Sequence, residues 1–438
     1  CFGVAFDVGT TTIAAYLYRL SDGARLGIRS ALNPQAKYGA DVITRINHTM
    51  TQDQRGLADM RESLLSALNR LLADFSARNG VPPNEIAAVF LVGNTTMLHF
   101  FMGLPAAGIA VSPFVPVTTG LCVLPAADSG LRMAPDGVAV CLPGLSGYVG
   151  PDTLAAALAC GFGGSGKVNL LVDLGTNGEI VLGGRERLFA CSTAAGPAFE
   201  GASIHSGVGG VEGAVDSVEI GADGALRLTT IGGAAAVGLC GSGLVDAIAQ
   251  LLAFGLIDET GRLESADEAR ARGLPAALCE RLIPLEDGKD GKDGGGKSGG
   301  RAFLLQKKGA AHAAHMDIMI TQRDVRELQS AKAAIAAGIR TLLKTAGIAA
   351  GDVHRVYLAG GFGSYVRVSS ATAIGLIPPE FSGRVVAAGN AAGAGAVEAM
   401  LSARAIRELL RLKGKMRYLE LSSSPAFTEA YVDCMAFE

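Results

Sequence analysis

Tryptophan is absent from the 438-residue sequence, and aromatic residues make up only 5% of it. Acidic and basic residues nearly balance, at 41 against 38, so no basic surface indicates a nucleic-acid partner. The eight cysteines form no CxxC pair or tight cluster, which excludes a recognisable zinc or iron–sulfur site in this sequence. Scattered cysteines and the lack of a signal peptide predict reduced thiols in a cytoplasmic protein.

Long runs of one charge are also lacking, and the most apolar stretch covers residues 228–257. This stretch is rich in glycine and carries Asp246 and Gln250. A glycine-rich loop followed by a buried helix therefore explains it better than a membrane span. The chain exceeds the length of one ordinary domain, and with 49% hydrophobic residues it can bury two sizeable cores.

The order of elements occurs twice: strands joined by tight turns, a long helix, a buried strand and a short helix. Long helices are expected at 51–79 and 321–346, and buried strands at 86–92 and 353–359. The string AFDVGTTTIAAYL aligns with LVDLGTNGEIVLG, and VFLVGNTTML with VYLAGGFGSY. We predict a duplicated α/β unit. Lobe one would comprise 1–160 plus 389–438, and lobe two would comprise 161–388 with insertions at 196–239 and 264–320 and a solvated loop at 286–300.

One match to the phosphate-loop pattern is misleading. Residues 291–298 read GKDGGGKS, but low-complexity sequence surrounds them on both sides. A working phosphate loop follows a buried strand and opens a helix, so that its amides converge on phosphate. The partial match at 161–167 lacks the final Ser or Thr and precedes a strand. We therefore expect no phosphate loop of this type.

Two Asp-x-Gly-Thr turns, one in each repeat, predict a phosphate and metal site. Glycine lets phosphate approach the backbone closely, and threonine hydroxyls donate hydrogen bonds. Asp7 and Asp173 can hold Mg²⁺ through water and orient an attacking nucleophile. A single turn of this kind is usually a plain hairpin, but two at equivalent positions favour ligand binding. The phosphate contacts are expected from Gly9, Thr10, Thr11, Thr12, Gly175, Thr176, Asn177 and Gly178.

Glycines after the last buried strand predict a nucleoside site, because ligands bind at the carboxyl ends of strands in open α/β sheets. The expected contacts come from Gly360, Gly361, Phe362 and Gly363. Gly241 and Ser242 open another helix and are further candidates, with helix capping as the alternative.

Small-residue helices starting near Gly150 and Gly389 are suited to a hinge, with ordinary alanine-rich packing as the alternative. Asp152 lies at the start of the first of these helices. It is a candidate base or water-positioning residue, or only an acid that favours a helix start.

In this order the motifs resemble the phosphate-one, phosphate-two and adenosine motifs of the actin, sugar-kinase and heat-shock-chaperone ATPase superfamily. Within it, the sequence resembles the reductive activators of corrinoid proteins. The strings that carry this resemblance are VGNTTMLHF, CSTAAGPAFEGA, CGSGLVDAIAQLL, ITQRDVRELQSAKAAI and GNAAGAGA. The resemblance implies a two-lobe, duplicated ribonuclease-H-like (actin-like ATPase) α/β fold with the nucleotide in the interlobe cleft.

Members of this family use ATP to drive an electron from an iron–sulfur cluster to an inactive Co(II) corrinoid protein, which regenerates Co(I) for methyl transfer. The resemblance therefore implies ATP and Mg²⁺ as cofactors, and a corrinoid protein of a methyltransferase system and an electron donor as partners. Relatives usually carry a cysteine-rich ferredoxin-like domain at the amino terminus. The iron–sulfur cluster is thus expected only in a domain absent from this chain.

Other functions stay open at this point. A small-molecule kinase of the same fold would need a carboxylate base, for which Asp152 is the candidate. A chaperone-like binding module would need a peptide-binding domain that this sequence lacks. We expect no nucleic-acid or membrane partner, and the oligomeric state, a homodimer included, is not determined by the sequence.

Overall fold

The computed structural model describes residues 1–164, 166–285, 300–309, 316–363 and 365–437. The misleading phosphate-loop pattern at 291–298 therefore lies outside the described residues. The strands are Phe2–Val8 (β1), Thr12–Arg19 (β2), Ala24–Leu32 (β3), Ile86–Gly93 (β4), Cys122–Pro125 (β5), Val138–Cys141 (β6), Val168–Leu174 (β7), Gly178–Gly183 (β8), Leu188–Thr193 (β9), Ala214–Ile220 (β10), Leu226–Thr230 (β11), Gly238–Leu239 (β12), Leu282–Pro284 (β13), Arg301–Gln306 (β14), Ile318–Thr321 (β15), Val353–Ala359 (β16), Val385–Gly389 (β17) and Met416–Tyr418 (β18).

The helices alternate with these strands along the chain. They are Val42–Thr51 (α1), Asp53–Asn79 (α2), Thr95–Met102 (α3), Ala107–Ala110 (α4), Ala126–Ser129 (α5), Pro151–Ala159 (α6), Gly241–Ala253 (α7), Ala266–Ala271 (α8), Ala276–Cys279 (α9), Gln322–Ala346 (α10), Gly360–Gly363 (α11), Val368–Ala373 (α12), Ala391–Leu401 (α13), Ala403–Lys415 (α14) and Pro425–Asp433 (α15). Among the described residues, no helix is both long and apolar enough to cross a membrane.

The first sheet has the strand order β3-β2-β1-β4-β6-β5. Its central strand β1 is apolar along most of its length, as expected for a strand covered on both faces. By contrast, β2 alternates, and it buries Ile13, Ala15 and Leu17 on one face. β1 pairs antiparallel with β2 and parallel with β4. The ends of β1 and β4 therefore meet at one edge of the sheet.

The predicted duplication is confirmed. A second sheet has the order β17-β16-β7-β8-β9-β18, so the arrangement β9-β8-β7-β16 repeats β3-β2-β1-β4. The insertions predicted in the second copy contain their own small sheets, with the orders β11-β10-β12 and β13-β14-β15. The glycine-rich stretch is followed by the buried helix α7, as predicted.

The long helices also follow the sequence pattern, with one difference. In α2 the fully buried side chains of Met60, Leu64, Leu68 and Leu72 recur every fourth residue and face the core. The helix predicted at 51–79 is observed as α2, but a second helix, α1, precedes it and was not predicted; the two are separated at Gln52, where φ and ψ are −108° and 15°. No glycine or proline marks this point, so no breaker residue indicates where one helix ends and the next begins.

The described chain forms two compact units. Unit 1 contains Cys1–Leu171, Val181–Ser192 and Ala388–Leu419, and unit 2 contains Val172–Ile180, Thr193–Ala387 and Glu420–Glu438. The lobe boundaries expected from the sequence stay a prediction.

Candidate phosphate-binding site

The first Asp-x-Gly-Thr turn connects β1 and β2 in unit 1. The amide of Gly9 donates to the carbonyl of Thr12 over 3.0 Å and closes the turn. Thr10 is buried, whereas Thr11 and Thr12 are exposed. Because β1 runs parallel to β4 and Val8 pairs with Gly93, the start of α3 lies beside the turn.

Three asparagines donate hydrogen bonds to this turn through their side-chain amides: Asn33, Asn94 and Asn390. Asn33 Nδ2 donates to the Gly9 carbonyl over 2.9 Å. Asn94 Nδ2 donates to the Thr10 hydroxyl oxygen over 3.0 Å. Asn390 Nδ2 donates to Asp7 Oδ2 over 2.7 Å. The backbone, a hydroxyl and the carboxylate of the turn are each held in place.

The same asparagines begin helical segments as N-cap residues. Asn94 Oδ1 accepts the backbone N–H of Met97 in α3, and Asn390 Oδ1 accepts that of Gly393 in α13. Asn33 caps the 3₁₀ turn Pro34–Tyr38 in the same way. An N-cap needs only an acceptor, so the amide nitrogen is left to donate to the turn. Sequence reasoning missed these residues as site residues, although Gly-Asn before a helix marks two of them.

The side chain of a buried arginine donates a hydrogen bond to the backbone of this turn. Arg45 on α1 is 1% exposed, and its Nη2 donates to the Thr10 carbonyl over 2.7 Å. Its Nε donates to the Gly39 carbonyl over 2.9 Å. An arginine keeps its charge at all ordinary pH values. It therefore adds positive potential close to the proposed phosphate contacts, and no sequence motif identified it.

Two carboxyl groups of this unit, those of Asp7 and Asp152, have raised pKa values. Burial raises the pKa of Asp7 to about 7; the hydrogen bond from Asn390 opposes this rise, and the negative charge of Asp152 adds to it. Burial likewise raises the pKa of Asp152 to about 6, against the hydrogen bonds from Thr153. Burial raises the pKa of Tyr16 to about 12, and the charge of Asp7 contributes.

The carboxylate of Asp7 fits a divalent cation. Removing carboxylates from water favours their neutral forms, and a nearby cation restores the charged forms. Mg²⁺ is commonly bound by one or two carboxylates together with phosphate oxygens and water. In the described part of the chain, no group of three or more His, Cys, Asp or Glu side chains could hold a metal alone. The carboxylate of Asp7 is thus a donor of the kind that Mg²⁺ takes together with phosphate oxygens and water.

The small residues in α6 and α13 serve close packing within unit 1. A Cβ built at Gly395 would overlap the carbonyl oxygen of Ala155 on α6. The backbones of the two helices therefore touch, which brings Asp152 in α6 and Asn390 before α13 to the region of Asp7. The hinge role of these helices stays a prediction.

The second Asp-x-Gly-Thr turn connects β7 and β8 in unit 2. The Gly175 amide donates to the Asn177 carbonyl over 3.0 Å. The Thr176 hydroxyl donates to Glu200 Oε1 over 2.8 Å, and Glu200 is a further residue that sequence reasoning missed as part of the site. A Cβ at Gly178 would overlap Ile335 of α10, so packing alone explains a glycine there.

The predicted nucleoside motif lies directly beside this second turn. Gly360 has φ of +93°, and a Cβ there would lie 2.7 Å from Asp173 Oδ1 and would overlap the Leu174 carbonyl oxygen. A residue with a side chain would therefore displace the end of β7. The structure brings together the candidate residues Asp173 and Gly360. Gly361 and Gly363 follow Gly360 in α11, and the predicted contact of Phe362 falls on a side chain outside the described part.

Gly241 and Ser242 begin α7, and both are buried. The N-cap residue is Cys240, with no side-chain cap hydrogen bond. Ser242 Oγ lies 3.3 Å from Cys240 Sγ, and the thiol lies 3.2 Å from the Val215 carbonyl. The alternative role of Ser242 as a helix cap is therefore wrong, and its contact with a nucleoside stays a prediction.

Comparison with known proteins identifies the family. Residues 167–438 match the model described as "C-terminal domain of RACo the ASKHA domain". Residues 2–165 match the "RACo middle region". The solved structure of a "Reductive activator for corrinoid,iron-sulfur protein" superposes with a TM-score of 0.87 at 35% identity, covering 100% of this chain and 66% of that one. The actin-like fold class expected from the sequence is confirmed.

Two curated relatives with corrinoid functions are also similar to this chain. The "Corrinoid activation enzyme RamQ" of Eubacterium limosum is 34% identical over 98% of this chain and 69% of its own length. The "[Co(II) methylated amine-specific corrinoid protein] reductase" of Methanosarcina barkeri is 24% identical over 98% of this chain and 76% of its own length. This chain thus spans about two thirds to three quarters of each of these relatives. The resemblance inferred from the sequence is confirmed: the chain belongs to the RACo family, the reductive activators of corrinoid proteins.

Proposed function

We propose that this chain is the ATP-binding and ATP-hydrolysing part of a reductive activator that drives an electron to a Co(II) corrinoid protein. The observation that carries the proposal is the turn after β1, which side-chain hydrogen bonds hold in place. Its backbone, a hydroxyl and a carboxylate are each held by a capping asparagine. A site fixed in this way needs little reorganisation when charge develops on phosphate.

The residues of each turn have separate roles in the proposal. In unit 1, the backbone of the turn and the exposed Thr11 and Thr12 would donate to phosphate oxygens. In unit 2, Gly175 to Gly178 would do the same, and Gly360 to Gly363 would contact the nucleoside, with Gly241 and Ser242 as further candidates. Asp7 and Asp173 would hold Mg²⁺ through water. When bound, this ion would neutralise phosphate charge and help to orient the attacking water.

Asp152 is the proposed proton acceptor. A general base works best when its pKa lies near the operating pH, and burial raises the pKa of Asp152 to about 6. Its carboxylate is oriented by the Thr153 amide, which donates over 2.7 Å. It would orient the water that attacks the terminal phosphate and accept its proton.

The electron transfer step follows the chemistry printed for the relatives, one of which reduces a Co(II) corrinoid protein. One electron added to Co(II) gives Co(I), and we propose that it comes from an iron–sulfur donor outside the described residues. ATP can drive an unfavourable transfer only if it favours one conformation of the complex over another. Nucleotide contacts that differ between the two conformations would supply such a preference.

The test is ATP turnover with and without a Co(II) corrinoid protein. A low-potential donor supplies electrons, and the corrinoid spectrum reports Co(I). We expect Co(I) to form only with ATP, and Asp173→Ala to abolish turnover while the circular dichroism spectrum stays that of the wild type. Asp136→Asn, in an exposed loop position, is the matched control and should turn over ATP normally. Unchanged turnover in Asp173→Ala would refute the placement of the site.

A small-molecule kinase is the second candidate, because the buried carboxylate of Asp152 also suits deprotonation of a substrate hydroxyl. A panel of sugars and organic acids in the same assay distinguishes the two. ADP release that depends on one of these compounds would favour a kinase. ADP release that depends on the corrinoid protein would favour the activator.

A further inference from the structure

Asn390 joins a helix start to the carboxylate of Asp7. Its Nδ2 donates to Asp7 Oδ2 over 2.7 Å, and its Oδ1 accepts the Gly393 amide over 2.6 Å. Asn94 makes the same kind of cap, but its amide donates to a hydroxyl oxygen rather than to a carboxylate. Among the contacts described for these capping asparagines, that of Asn390 alone reaches an ionisable side chain.

The chemistry of the side chain accounts for asparagine at this position. Aspartate, serine and threonine also cap helices, and aspartate does so as well as asparagine. An ionised carboxylate has no donor, and a hydroxyl would have to accept the cap hydrogen bond and donate to Asp7 through one oxygen atom. Asparagine does both through two separate atoms, and aspartate can do only the first.

The position of the amide is fixed by the packing of α13. Gly395 lets the α13 backbone touch Ala155 on α6, and α13 also packs against β1 and β4. The helix start therefore cannot shift toward or away from the end of β1 without breaking these contacts. Asn390 therefore holds one particular oxygen of the Asp7 carboxylate, Oδ2, at the end of β1.

We propose that Asn390 is a positioning residue for the Asp7 carboxylate: it sets which carboxylate oxygen faces the metal-bound water of a Mg²⁺ nucleotide. This inference rests on the proposed ATP site. Asn390 itself touches neither substrate nor metal in the proposal, and it acts through Asp7.

The first test uses Asn390→Asp, which keeps the N-cap and removes the donor. Turnover should fall about 10- to 100-fold, the range set by a lost hydrogen bond to a charged group. The Mg²⁺ concentration for half-maximal turnover should rise about tenfold. A helix cap without influence on Asp7 would change neither value, because aspartate caps equally well.

Asn69→Asp is the matched control, since Asn69 also donates one hydrogen bond, to the Gly130 carbonyl, and accepts one, from the Arg132 amide. It lies on α2 outside the proposed site. It should keep wild-type turnover and Mg²⁺ dependence. Wild-type values in Asn390→Asp as well would overturn the inference.

The second test needs no activity. At pH 8 and without nucleotide, Asn390→Asp places two carboxylates together and should lower the melting temperature by about 5 °C. Combining it with Asp7→Asn exchanges donor and acceptor and should recover that loss, but should not recover turnover. If the two substitutions have independent effects on the melting temperature, the inference fails. If the wild type does not hydrolyse ATP, the proposed function fails, and this cycle alone decides whether Asn390 holds Asp7.

Discussion

Asp7→Asn should stabilise the nucleotide-free protein, and increasingly so as the pH rises. Burial raises the pKa of Asp7 from 3.8 to about 7. Each pKa unit corresponds to about 1.36 kcal/mol of difference between the protonation states. Ionising Asp7 in the folded protein therefore costs up to about 4 kcal/mol more than in the unfolded chain.

The direction of the pH dependence follows from the sign of this shift. Because the folded pKa lies above the unfolded value, the folded protein binds more protons between about pH 4 and pH 7. The stabilising contribution of protonated Asp7 is complete below about pH 4 and is lost as the pH rises through about 7. Of this stabilising contribution, about 3 kcal/mol is lost between pH 5 and pH 8. Asparagine is neutral throughout and can still accept the hydrogen bond from Asn390, so the variant escapes this loss.

The assay is thermal unfolding of the wild type and Asp7→Asn at pH 5 and pH 8, without nucleotide or divalent metal. For a unit of about 200 residues, 1 kcal/mol corresponds to about 2–4 °C. The advantage of the variant should therefore grow by about 6–12 °C between the two pH values. Asp136→Asn, at an exposed position, should show no such growth. An advantage that is equal at pH 5 and pH 8 would refute the view that burial destabilises the charged form of Asp7.

Two further predictions concern glycines at which a Cβ would overlap another part of the chain. Gly395→Ala should lower the free energy of unfolding in urea by about 1–3 kcal/mol, because it forces α13 away from α6. Gly414→Ala, at an exposed helical position with no atom within 4 Å, should be neutral or slightly stabilising. Equal effects of the two substitutions would contradict the close packing of α13 against α6. Gly360→Ala should weaken ATP binding about tenfold or more, a change of about 1.4 kcal/mol, because its Cβ would overlap the Leu174 carbonyl. Gly383 also has a positive φ, at +78°, but a Cβ there would meet no atom within 4 Å. Calorimetry should therefore show unchanged ATP affinity for Gly383→Ala. Equal weakening of ATP binding in both variants would indicate that backbone strain rather than the overlap is responsible.

Much of the fold could be predicted because the chain repeats itself. Two aligned turns and two aligned strand ends identify one unit in two copies, and the sheets have the corresponding strand orders. Hydrophobic periodicity located β7 and β16 at their observed bounds. The break at Gln52 was missed because two good helical sequences adjoin there without a glycine or proline. The small sheets in the insertions were missed because glycine-rich sequence and short strands give weak periodicity.

The supports of the candidate site could not be predicted. Asn33, Asn94 and Asn390 lie far apart in the sequence, and each has a sufficient local explanation as an N-cap. Only the fold shows that their remaining N–H groups converge on one turn. Arg45 and Glu200 were missed for a related reason, since each contacts the turn of its own unit from a separate segment. A sequence pattern reports what a residue does for its own element, and it is silent on a second contact made through space.

These double roles have a consequence for how the site changes when it is perturbed. In unit 1 the hydrogen bonds that begin α3 and α13 share their side chains with those that hold Thr10 and Asp7. A substitution that removes the whole side chain therefore loses a helix cap, worth about 1 kcal/mol, together with the support of the turn. Alanine scanning would report both losses as one and would overstate the contribution to phosphate binding. Asparagine-to-aspartate substitutions keep the cap, remove the donor and add a negative charge, so they separate the cap from the contact that each side chain makes with the turn.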